Sequence, residues 1–527
     1  MDSTHSSFSH SSEEARHQKH LRRQRLWQTA QHFWNKLITF HRNGNKRFSG
    51  RWSDFQFVLL SLAAILLLAV LMLWVPSYLG MANDGTVTRT MQNAGLSYRS
   101  EDAANANDYF TRVYETRYAS TDDHSLQLFL LRLAKALDDF LTNDHLFDIR
   151  FLSIFYVVLA LPAWALLIFS IVSRASAFIE KCVLSIFCVL VFADVSYLTY
   201  FNSLYPEALY LIGLAYLLGG CMMLQRRSRF EPLYWLALVC GALMLCSTRQ
   251  HCGVIGFIAA LFCIAQLRLN KQLLSRVGIA LAAAAVLLAG FCSFVFVESD
   301  FDTTSKVHSM TRGVLLQSSD PEKTLREFGI APSYTLLTDA SLYDQYALTD
   351  EEEYYLQNGF LDQYSTADVV VHYLCHPGSM VSMLDLGVKS AINLRREYCG
   401  NYERSTGMPT RGKSIFFSAY SIFKSRSLPH TLAFPLLLVL VCTLLSRNGW
   451  WRKKEPDRFY YVYFSTTLMA AAIAFVHLAE VVCFSGDAQL TQYNFIAGFS
   501  LDCLILFTLA ELLHRLNILE EAQEAAA

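Results

Sequence analysis

The sequence predicts an all-α polytopic membrane protein with about ten transmembrane helices and two inserts on one side of the membrane. Of the 527 residues, 53% are hydrophobic and only 17% are charged, so the chain is more apolar than soluble domains usually are. The apolar residues come in blocks of about 17–25, the length that crosses a ~30 Å hydrocarbon core. Lys and Arg are concentrated in alternate gaps between these blocks.

Ten apolar segments account for the predicted helices. They are 55–75, 151–173, 182–200, 204–224, 232–247, 252–268, 277–297, 430–446, 459–482 and 494–513. The first follows a basic stretch and is long enough to be a permanent span rather than a cleavable signal peptide.

The charge pattern predicts the orientation of these spans. If the N-terminus is cytoplasmic, the inside gaps hold nearly all the basic residues, and the short outside gaps contain only Arg249. The inside residues are Arg174, Lys181, Arg226, Arg227, Arg229, Arg268, Lys271, Arg276, Arg447, Arg452, Lys453, Lys454 and Arg458. This positive-inside pattern predicts that both termini are cytoplasmic.

The same topology divides the chain into domains. The predicted units are a cytoplasmic basic segment 1–54, a transmembrane domain 55–297 with a first outer loop 76–150, an extracytoplasmic cap insert 298–429, C-terminal spans 430–513 and a cytoplasmic tail 514–527. Within the first outer loop, Ser125–Leu141 has the apolar periodicity of an amphipathic helix, which either lies on the membrane surface or caps the bundle.

The thirteen cysteines lie mostly inside apolar segments, where they are expected to be small packing residues. Cys375 and Cys399 both fall in the cap insert and could form a disulfide if the insert is extracytoplasmic. Two cysteines in one insert are weak grounds for a bond, so the pairing is left open.

Asp84 is the leading candidate for chemistry. It follows the first span in Asn83-Asp84-Gly85, and a carboxylate held at a helix end near the interface can act as a general base or hold a metal. A solvated turn aspartate is the alternative, because Asn, Asp and Gly are typical turn residues. The run Thr86–Tyr98, which contains Arg89, shifts the balance towards a site.

A second candidate segment is the short outside turn Tyr200–Glu207. It contains Asn202, Tyr205 and Glu207, which are candidate substrate contacts, and an acid at the start of a span is costly unless it is paired or faces water. The alternative for Glu207 is a helix-start carboxylate that interacts with the helix dipole.

Four further residues are candidate substrate contacts. Arg249 stands against the positive-inside trend and needs a phosphate or a carboxylate as partner, with a structural ion pair as an equal alternative. In the cap insert, His308 and Arg312 are spaced i, i+4 and share a face if the segment is helical. Asp487, in the last outside loop, could join the same polar patch.

These motifs resemble those of the GT-C class of integral-membrane glycosyltransferases. Ala82-Asn83-Asp84-Gly85, Phe201-Asn202-Ser203-Leu204-Tyr205-Pro206-Glu207, Arg312-Gly313-Val314-Leu315-Leu316, Phe328-Gly329-Ile330 and Gly486-Asp487 are similar to a bacterial branch of glycan-biosynthesis hexose transferases. The resemblance implies transfer of a sugar from a polyprenyl-phosphate donor to a cell-envelope glycan or lipid acceptor. It also implies a bacterial inner membrane, and Asp84 occupies the position of the catalytic base.

The chain departs from this class in one respect, which bears on the cofactor. No adjacent acidic pair follows the first span directly, so a divalent ion, Mg²⁺ or Mn²⁺, is left open and no metal ligand is assigned. The other readings are a glycolipid flippase or transporter and a lipid-linked glycan polymerase or ligase. Scarce proline in the spans and the absence of a repeat disfavour transport. No nucleotide-binding motif occurs, and no nucleic-acid partner is expected.

Overall fold

The computed structural model describes residues 52–118, 124–297, 303–341, 350–447, 457–488 and 490–526. Nearly all of the predicted basic segment 1–54 lies outside the described residues. The described helices are α1 (Asp54–Leu73), α2 (Thr88–Asn93), α3 (Leu126–Thr142), α4 (Arg150–Val172), α5 (Phe178–Phe192), α6 (Val195–Leu198), α7 (Glu207–Met223), α8 (Glu231–Cys246), α9 (Gly253–Gln266), α10 (Leu273–Phe296), α11 (Thr303–His308), α12 (Leu315–Gln317), α13 (Pro321–Glu327), α14 (Asp350–Gly359), α15 (Thr366–Cys375), α16 (Pro377–Ile392), α17 (Ala419–Ser427), α18 (Ala433–Leu445), α19 (Arg458–Phe484), α20 (Leu490–Tyr493) and α21 (Phe495–Ala526).

Six helical segments among the described residues are long and apolar enough to cross a membrane. They are Asp54–Leu73, Arg150–Val172, Gln250–Leu269, Leu273–Phe296, Arg458–Glu480 and Phe495–Leu516. A bent pair, α5 with Val195–Asn202, would make a seventh. The other three predicted spans coincide with the shorter apolar helices α7, α8 and α18. The chain is therefore a multi-pass membrane protein with six or seven strong candidate spans among its described residues, and the total of ten stays a prediction.

The 44° bend in the seventh candidate span follows from Asp194. This buried residue caps α6, because its Oδ1 accepts the Ser196 N–H at 2.9 Å. Its Oδ2 accepts the Ser421 N–H of the cap insert, also at 2.9 Å. A side chain that satisfies exposed backbone donors allows a helix to stop and restart inside a protein. The restarted segment runs directly into the turn that contains Asn202.

The all-α prediction missed five short strands. They are β1 (Leu79–Met81), β2 (Leu96–Ser97), β3 (Val113–Thr116), β4 (Leu146–Asp148) and β5 (Cys399–Tyr402). Strands β2, β3 and β4 form an antiparallel sheet within the first outer loop, and β1 pairs with β5 of the cap insert. Strands of two to four residues are too short to show an alternating pattern, which explains the error.

Segments that the sequence assigns to one side of the membrane meet one another in the structure. Basic residues of the predicted inside gaps form the ion pairs Lys181–Asp54 (2.7 Å), Arg458–Glu231 (2.8 Å) and Arg174–Glu511 (2.6 Å), where Glu511 is near the inner end of the last predicted span. Predicted outside residues form Arg396–Glu207 (2.7 Å) and Arg312–Asp487 (2.6 Å). We call the second end of the bundle the outer end. That it faces away from the cytoplasm stays a prediction.

The cap insert has a hydrophobic core of its own. Its fully buried side chains include Met310, Leu325, Phe360 and Met383, and they belong to a cluster separate from the main bundle core. Cys399 is also buried, with its Sγ 3.3 Å from Oγ1 of Thr199, whereas Cys375 is exposed. Both thiols are free, so the disulfide left open by the sequence is not formed.

Helix α3 agrees closely with the predicted amphipathic helix. Ser125 caps it by accepting the Leu128 N–H, and one face is buried against the bundle. On the other face Phe129, Phe140 and Leu141 are 62%, 84% and 61% exposed. Large exposed apolar side chains beside membrane spans are typical of an interfacial helix.

Candidate functional site

Asp84 lies in a tight turn at the outer end, immediately after β1. Its Oδ1 accepts the Thr86 N–H at 3.0 Å and the Thr86 hydroxyl at 2.7 Å. Gly85 follows with a φ of +96°, a conformation that favours glycine, and its N–H donates to Oδ1 of Asn83 at 2.8 Å. These bonds fix the carboxylate, and 16% of the side chain remains exposed.

Tyr205 and Asn202 form hydrogen bonds to the backbone of this turn and of the segments that lead into it. The Tyr205 hydroxyl accepts the Asp84 N–H and donates to the Ala82 carbonyl, both at 3.0 Å. The Asn202 amide donates to the carbonyls of Leu73 and Leu79 at 2.9 and 3.0 Å. Asn202 therefore joins the end of α1 to the start of β1. Both side chains are buried and use these polar atoms on the backbone, which makes them positioning residues.

Glu207 and Asp84 share one arginine, Arg396, which sequence reasoning missed. Its Nη2 lies 2.7 Å from Oε1 of Glu207, and its Nη1 lies 3.9 Å from Oδ2 of Asp84. Burial alone would lower the pKa of Arg396, but the neighbouring Tyr200 and the two carboxylates outweigh burial and raise that pKa above its ordinary value. Arg396 is therefore a permanent, nearly buried positive charge between two acids.

Strand pairing brings Arg396 to this place. β1 and β5 are antiparallel, with Leu79 opposite Tyr402, and the pairing continues as the Ala82 N–H donates to the Tyr398 carbonyl at 3.2 Å. Arg396 precedes β5 by three residues and so lies beside the Asp84 turn. One sequence signal pointed to it: a buried acid at position 207 requires a cation from the same side of the membrane.

Asp84, Glu207 and Arg396 together form what we call the charged cluster. The other predicted residues lie further from it. Arg249 is half-buried and within electrostatic range of Glu207. Arg89 is exposed on α2, five residues after Asp84.

Arg312 and Asp487 form a second group. Among the described residues, no hydrogen bond or ion pair joins this group to Asp84. The Arg312 Nε lies 2.6 Å from Oδ1 of Asp487, and its Nη1 lies 3.0 Å from Oδ1 of Asp339. His308 is 2% exposed, with its Nε2 3.3 Å from the Ser341 hydroxyl. The last outside loop is thus attached to the cap insert rather than to the Asp84 turn.

Tyr98 closes one side of the Asp84 turn. Burial raises its pKa to about 12, a side-chain hydrogen bond with Asn83 opposes this, and the charge of Asp84 adds to it. The phenol therefore stays protonated at any physiological pH and supplies a neutral wall beside the carboxylate.

The carboxylates do not fit the Mg²⁺ or Mn²⁺ ion that the sequence left open. Such ions are bound by several oxygen ligands that converge on one point. Between Asp84 and Glu207 that point is taken by the guanidinium of Arg396, which already offsets part of their negative charge. Asp84 and Glu207 therefore do not form a site for either ion.

An apolar groove of about 940 Å³ runs along α1, α4, α7 and α8 and reaches the outer end. Leu233 and Leu236 in its wall are 52% and 57% exposed, so the groove opens sideways, where a membrane would place lipid. Its lining extends to Leu126 and Ser247, which are joined by a backbone hydrogen bond of 2.6 Å.

Two short chain connections link this end of the groove to the charged cluster. Ser247 precedes Arg249 by two residues. Gln127, next to Leu126, donates its side-chain amide to the carbonyl of Leu204, the neighbour of Tyr205. The groove therefore reaches the outer end two residues before Arg249 in the chain and one hydrogen bond from the segment that contains Tyr205.

Fold and site together define a multi-pass membrane protein that gathers carboxylates and arginines at one end of its bundle, beside a groove open to lipid. The chain matches the family model described as YfdI N-terminal transmembrane domain over residues 45–526. It belongs to that family, which is membrane glycosyltransferase-like. Comparison with curated proteins and with solved structures gives no match.

Proposed function

We propose that this protein is a GT-C-type glycosyltransferase that moves a sugar from a polyprenyl-phosphate carrier to a glycan or lipid acceptor. The resemblance of its motifs to hexose transferases makes the sugar a hexose, and the reaction takes place on the extracytoplasmic face of a bacterial inner membrane. The family assignment supports a membrane protein of glycan biosynthesis. The observation that carries the proposal is the pair of Asp84 and Arg396, side by side at the outer end of the bundle, the end that the apolar groove also reaches.

The groove supports the identity of the donor. A polyprenyl chain is a long apolar ligand that reaches its binding site from within the bilayer, so its site must open sideways. The groove does so, and its lining runs from Phe55 near the start of α1 to Ser247 past the end of α8. A carrier lying in it would bring its phosphate to Arg249 and the Asp84 turn.

The charges support the chemistry of transfer. In the proposed reaction an acceptor hydroxyl oxygen bonds to the anomeric carbon, and the bond from that carbon to the phosphate oxygen breaks. Asp84 takes the hydroxyl proton at Oδ2, since Oδ1 is already bonded to Thr86. The departing lipid phosphate keeps the electron pair of the broken bond, and cationic side chains stabilise its charge.

Arg249 and Arg396 take different parts in this scheme. Arg396 is held by Glu207 and lies close to the base, where it fixes the position and charge of the Asp84 carboxylate. Arg249 is half-buried and follows the groove-lining Ser247 by two residues, and we assign it to the phosphate. Arg89 and Arg312 lie further from this cluster and are assigned to the outer parts of the substrates.

The test is transfer of labelled sugar from polyprenyl-phosphate donors by membranes that contain the wild type, Asp84→Asn or Asp108→Asn. Asp108 is a matched control, because it lies in the same outer loop and pairs with Arg411 at 2.9 Å on the surface. We expect Asp84→Asn to lower transfer by about 10²–10⁴-fold, the usual worth of a general base, and Asp108→Asn to leave it nearly unchanged.

Two results would overturn the proposal. Full transfer by Asp84→Asn removes the base assignment. Absence of transfer with every donor, while labelled glycolipid still crosses the membrane of vesicles that contain the protein, favours a flippase. A parallel series with a chelator reports whether transfer requires an accessible divalent ion.

A further inference from the structure

A group of three metal-ligand side chains lies at the outer end, apart from the Asp84 cluster. His251 belongs to the 3₁₀ turn Gln250–Cys252, and His477 and Glu480 lie one turn apart on α19. The atoms that these residues offer to a metal all lie within 4.8 Å of one another. The three side chains come from two segments that lie more than 200 residues apart in the chain, so only the fold brings His251 to the other two.

The surroundings show a built site rather than a chance surface group. His251, His477 and Glu480 are 5%, 0% and 8% exposed. Nδ1 of His477 lies 2.8 Å from Oε2 of Glu480, and Nε2 of His477 has no hydrogen-bond partner among the described residues. A buried imidazole nitrogen without a partner has a desolvation cost that a metal bond would remove.

The aromatic neighbours place this group next to the proposed active site. His251 packs edge-on against Tyr210 and Tyr493, with ring centroids 6.1 and 5.9 Å apart. Tyr210 follows Glu207 by three residues on α7, about one turn of helix. His251 itself follows Arg249 by two residues. A cation held here would therefore fix the turn that carries Arg249.

We propose that His251, His477 and Glu480 bind a divalent transition-metal ion of the Zn²⁺ class. Two imidazoles and one carboxylate form a ligand set that Zn²⁺ uses, whereas Mg²⁺ and Ca²⁺ prefer all-oxygen sites. Zinc bonds of about 2.0–2.1 Å in a tetrahedron separate the ligand atoms by about 3.4 Å. The ligand atoms, now within 4.8 Å of one another, would draw together around a bound ion. A water completes the coordination.

The chain supplies its own control in a second group of the same composition. Glu327, His372 and His376 also have ligand atoms within 4.8 Å, but Glu327 and His376 are exposed and His372 is half-buried, all in the cap insert. A metal that is merely picked up from solution would favour this accessible group. A built site would hold its metal through chelator washing.

The experiment measures metal content, and so it does not depend on the proposed transferase activity. The full chain is purified in detergent, washed with chelator and analysed by mass spectrometry for bound metals. We expect about one tightly held ion per chain in the wild type and in His376→Gln, and loss of that ion in His477→Gln and Glu480→Gln. Retention in both of the latter variants, or loss in His376→Gln, overturns the proposal.

A second measurement decides the case even if the variants fold poorly. Co²⁺ is added to metal-stripped wild type and its visible spectrum is recorded, together with the melting temperature. A tetrahedral spectrum with nitrogen ligands and a raised melting temperature is expected, because a ligand that binds only the native state stabilises it. No spectral change and no shift in melting temperature would refute the site.

Discussion

Replacing Arg396 with glutamine separates the structural role of this residue from its role in the reaction. In the wild type its Nη2 lies 2.7 Å from a carboxylate oxygen of Glu207, and the two side chains are 6% and 0% exposed. Removing one partner of a buried ion pair leaves an uncompensated charge and typically costs about 3–5 kcal/mol. We therefore expect Arg396→Gln to lower the unfolding free energy by about that amount, a large fraction of the stability of most proteins.

The double variant Glu207→Gln/Arg396→Gln tests the cause. Removing both charges eliminates the unpaired one, so most of the lost stability should return, and the two single substitutions should be strongly non-additive. Transfer activity should not return, because Asp84 has still lost the cation near its Oδ2. Recovered stability without recovered activity is the pattern that the proposed role of Arg396 requires.

The assay is thermal unfolding of the purified protein in detergent, followed by the fluorescence of a thiol-reactive dye that reports exposure of its buried cysteines. Sugar transfer is measured on the same preparations. Arg411→Gln is the control: Arg411 also pairs with carboxylates, but its side chain is 52% exposed, so its removal should change little. An Arg396→Gln variant as stable as Arg411→Gln would refute the reasoning about the buried pair.

Three further predictions concern close contacts and protonation. Gly80→Ala should lower the melting temperature and transfer activity, because its Cβ would lie 2.7 Å from the carbonyl oxygen of Asn202 and push β1 off its anchor, a cost of about 1–3 kcal/mol. Gly486→Ala should weaken the attachment of the last outside loop to the cap insert, measured as faster proteolysis there, since its φ is +57° and its Cβ would lie 2.5 Å from the Arg312 backbone. Burial and a neighbouring histidine lower the pKa of His372 below its ordinary 6.5, so the stability it contributes is complete above pH 6.5 and is lost as pH falls towards the folded pKa. His372→Gln should remove that part of the dependence of melting temperature on pH.

Each of these predictions has an outcome that contradicts it. Gly80→Ala with wild-type melting temperature and activity would mean that β1 shifts without cost. Unchanged proteolysis of Gly486→Ala would remove the argument from its tight contact. A wild type and His372→Gln variant with parallel pH profiles would show that His372 titrates alike in the folded and unfolded chain.

The hydrophobic blocks and the charge pattern determined the class of fold. Nine of the ten predicted spans coincide with one apolar helix each and 182–200 with a bent pair, because a length of hydrocarbon-compatible sequence is a local property that needs no tertiary information. The N-cap of α3 at Ser125 was equally local. The number of helices that cross the membrane was not, since α7, α8 and α18 are too short to be assigned from length alone.

The sequence also placed Asp84, Tyr205 and Glu207 on the same predicted side of the membrane as candidate site residues, because carboxylates near a membrane must be paired or face water. It could not supply Arg396, which is 189 residues from its partner Glu207. The pairing depends on the register of β1 with β5, a long-range contact that leaves no periodic signal in strands of three and four residues.

For the same reason only the tertiary structure decided the division of labour within the site. The sequence treated Asn202 and Tyr205 as substrate contacts, whereas the fold turns these polar groups onto the backbone around Asp84. The fold likewise brings His251 next to His477, a proximity that no spacing in the sequence suggested. Local composition fixes what a segment is, but the partner of a buried charge or imidazole is set by how distant segments pack, and that information exists only in the folded chain.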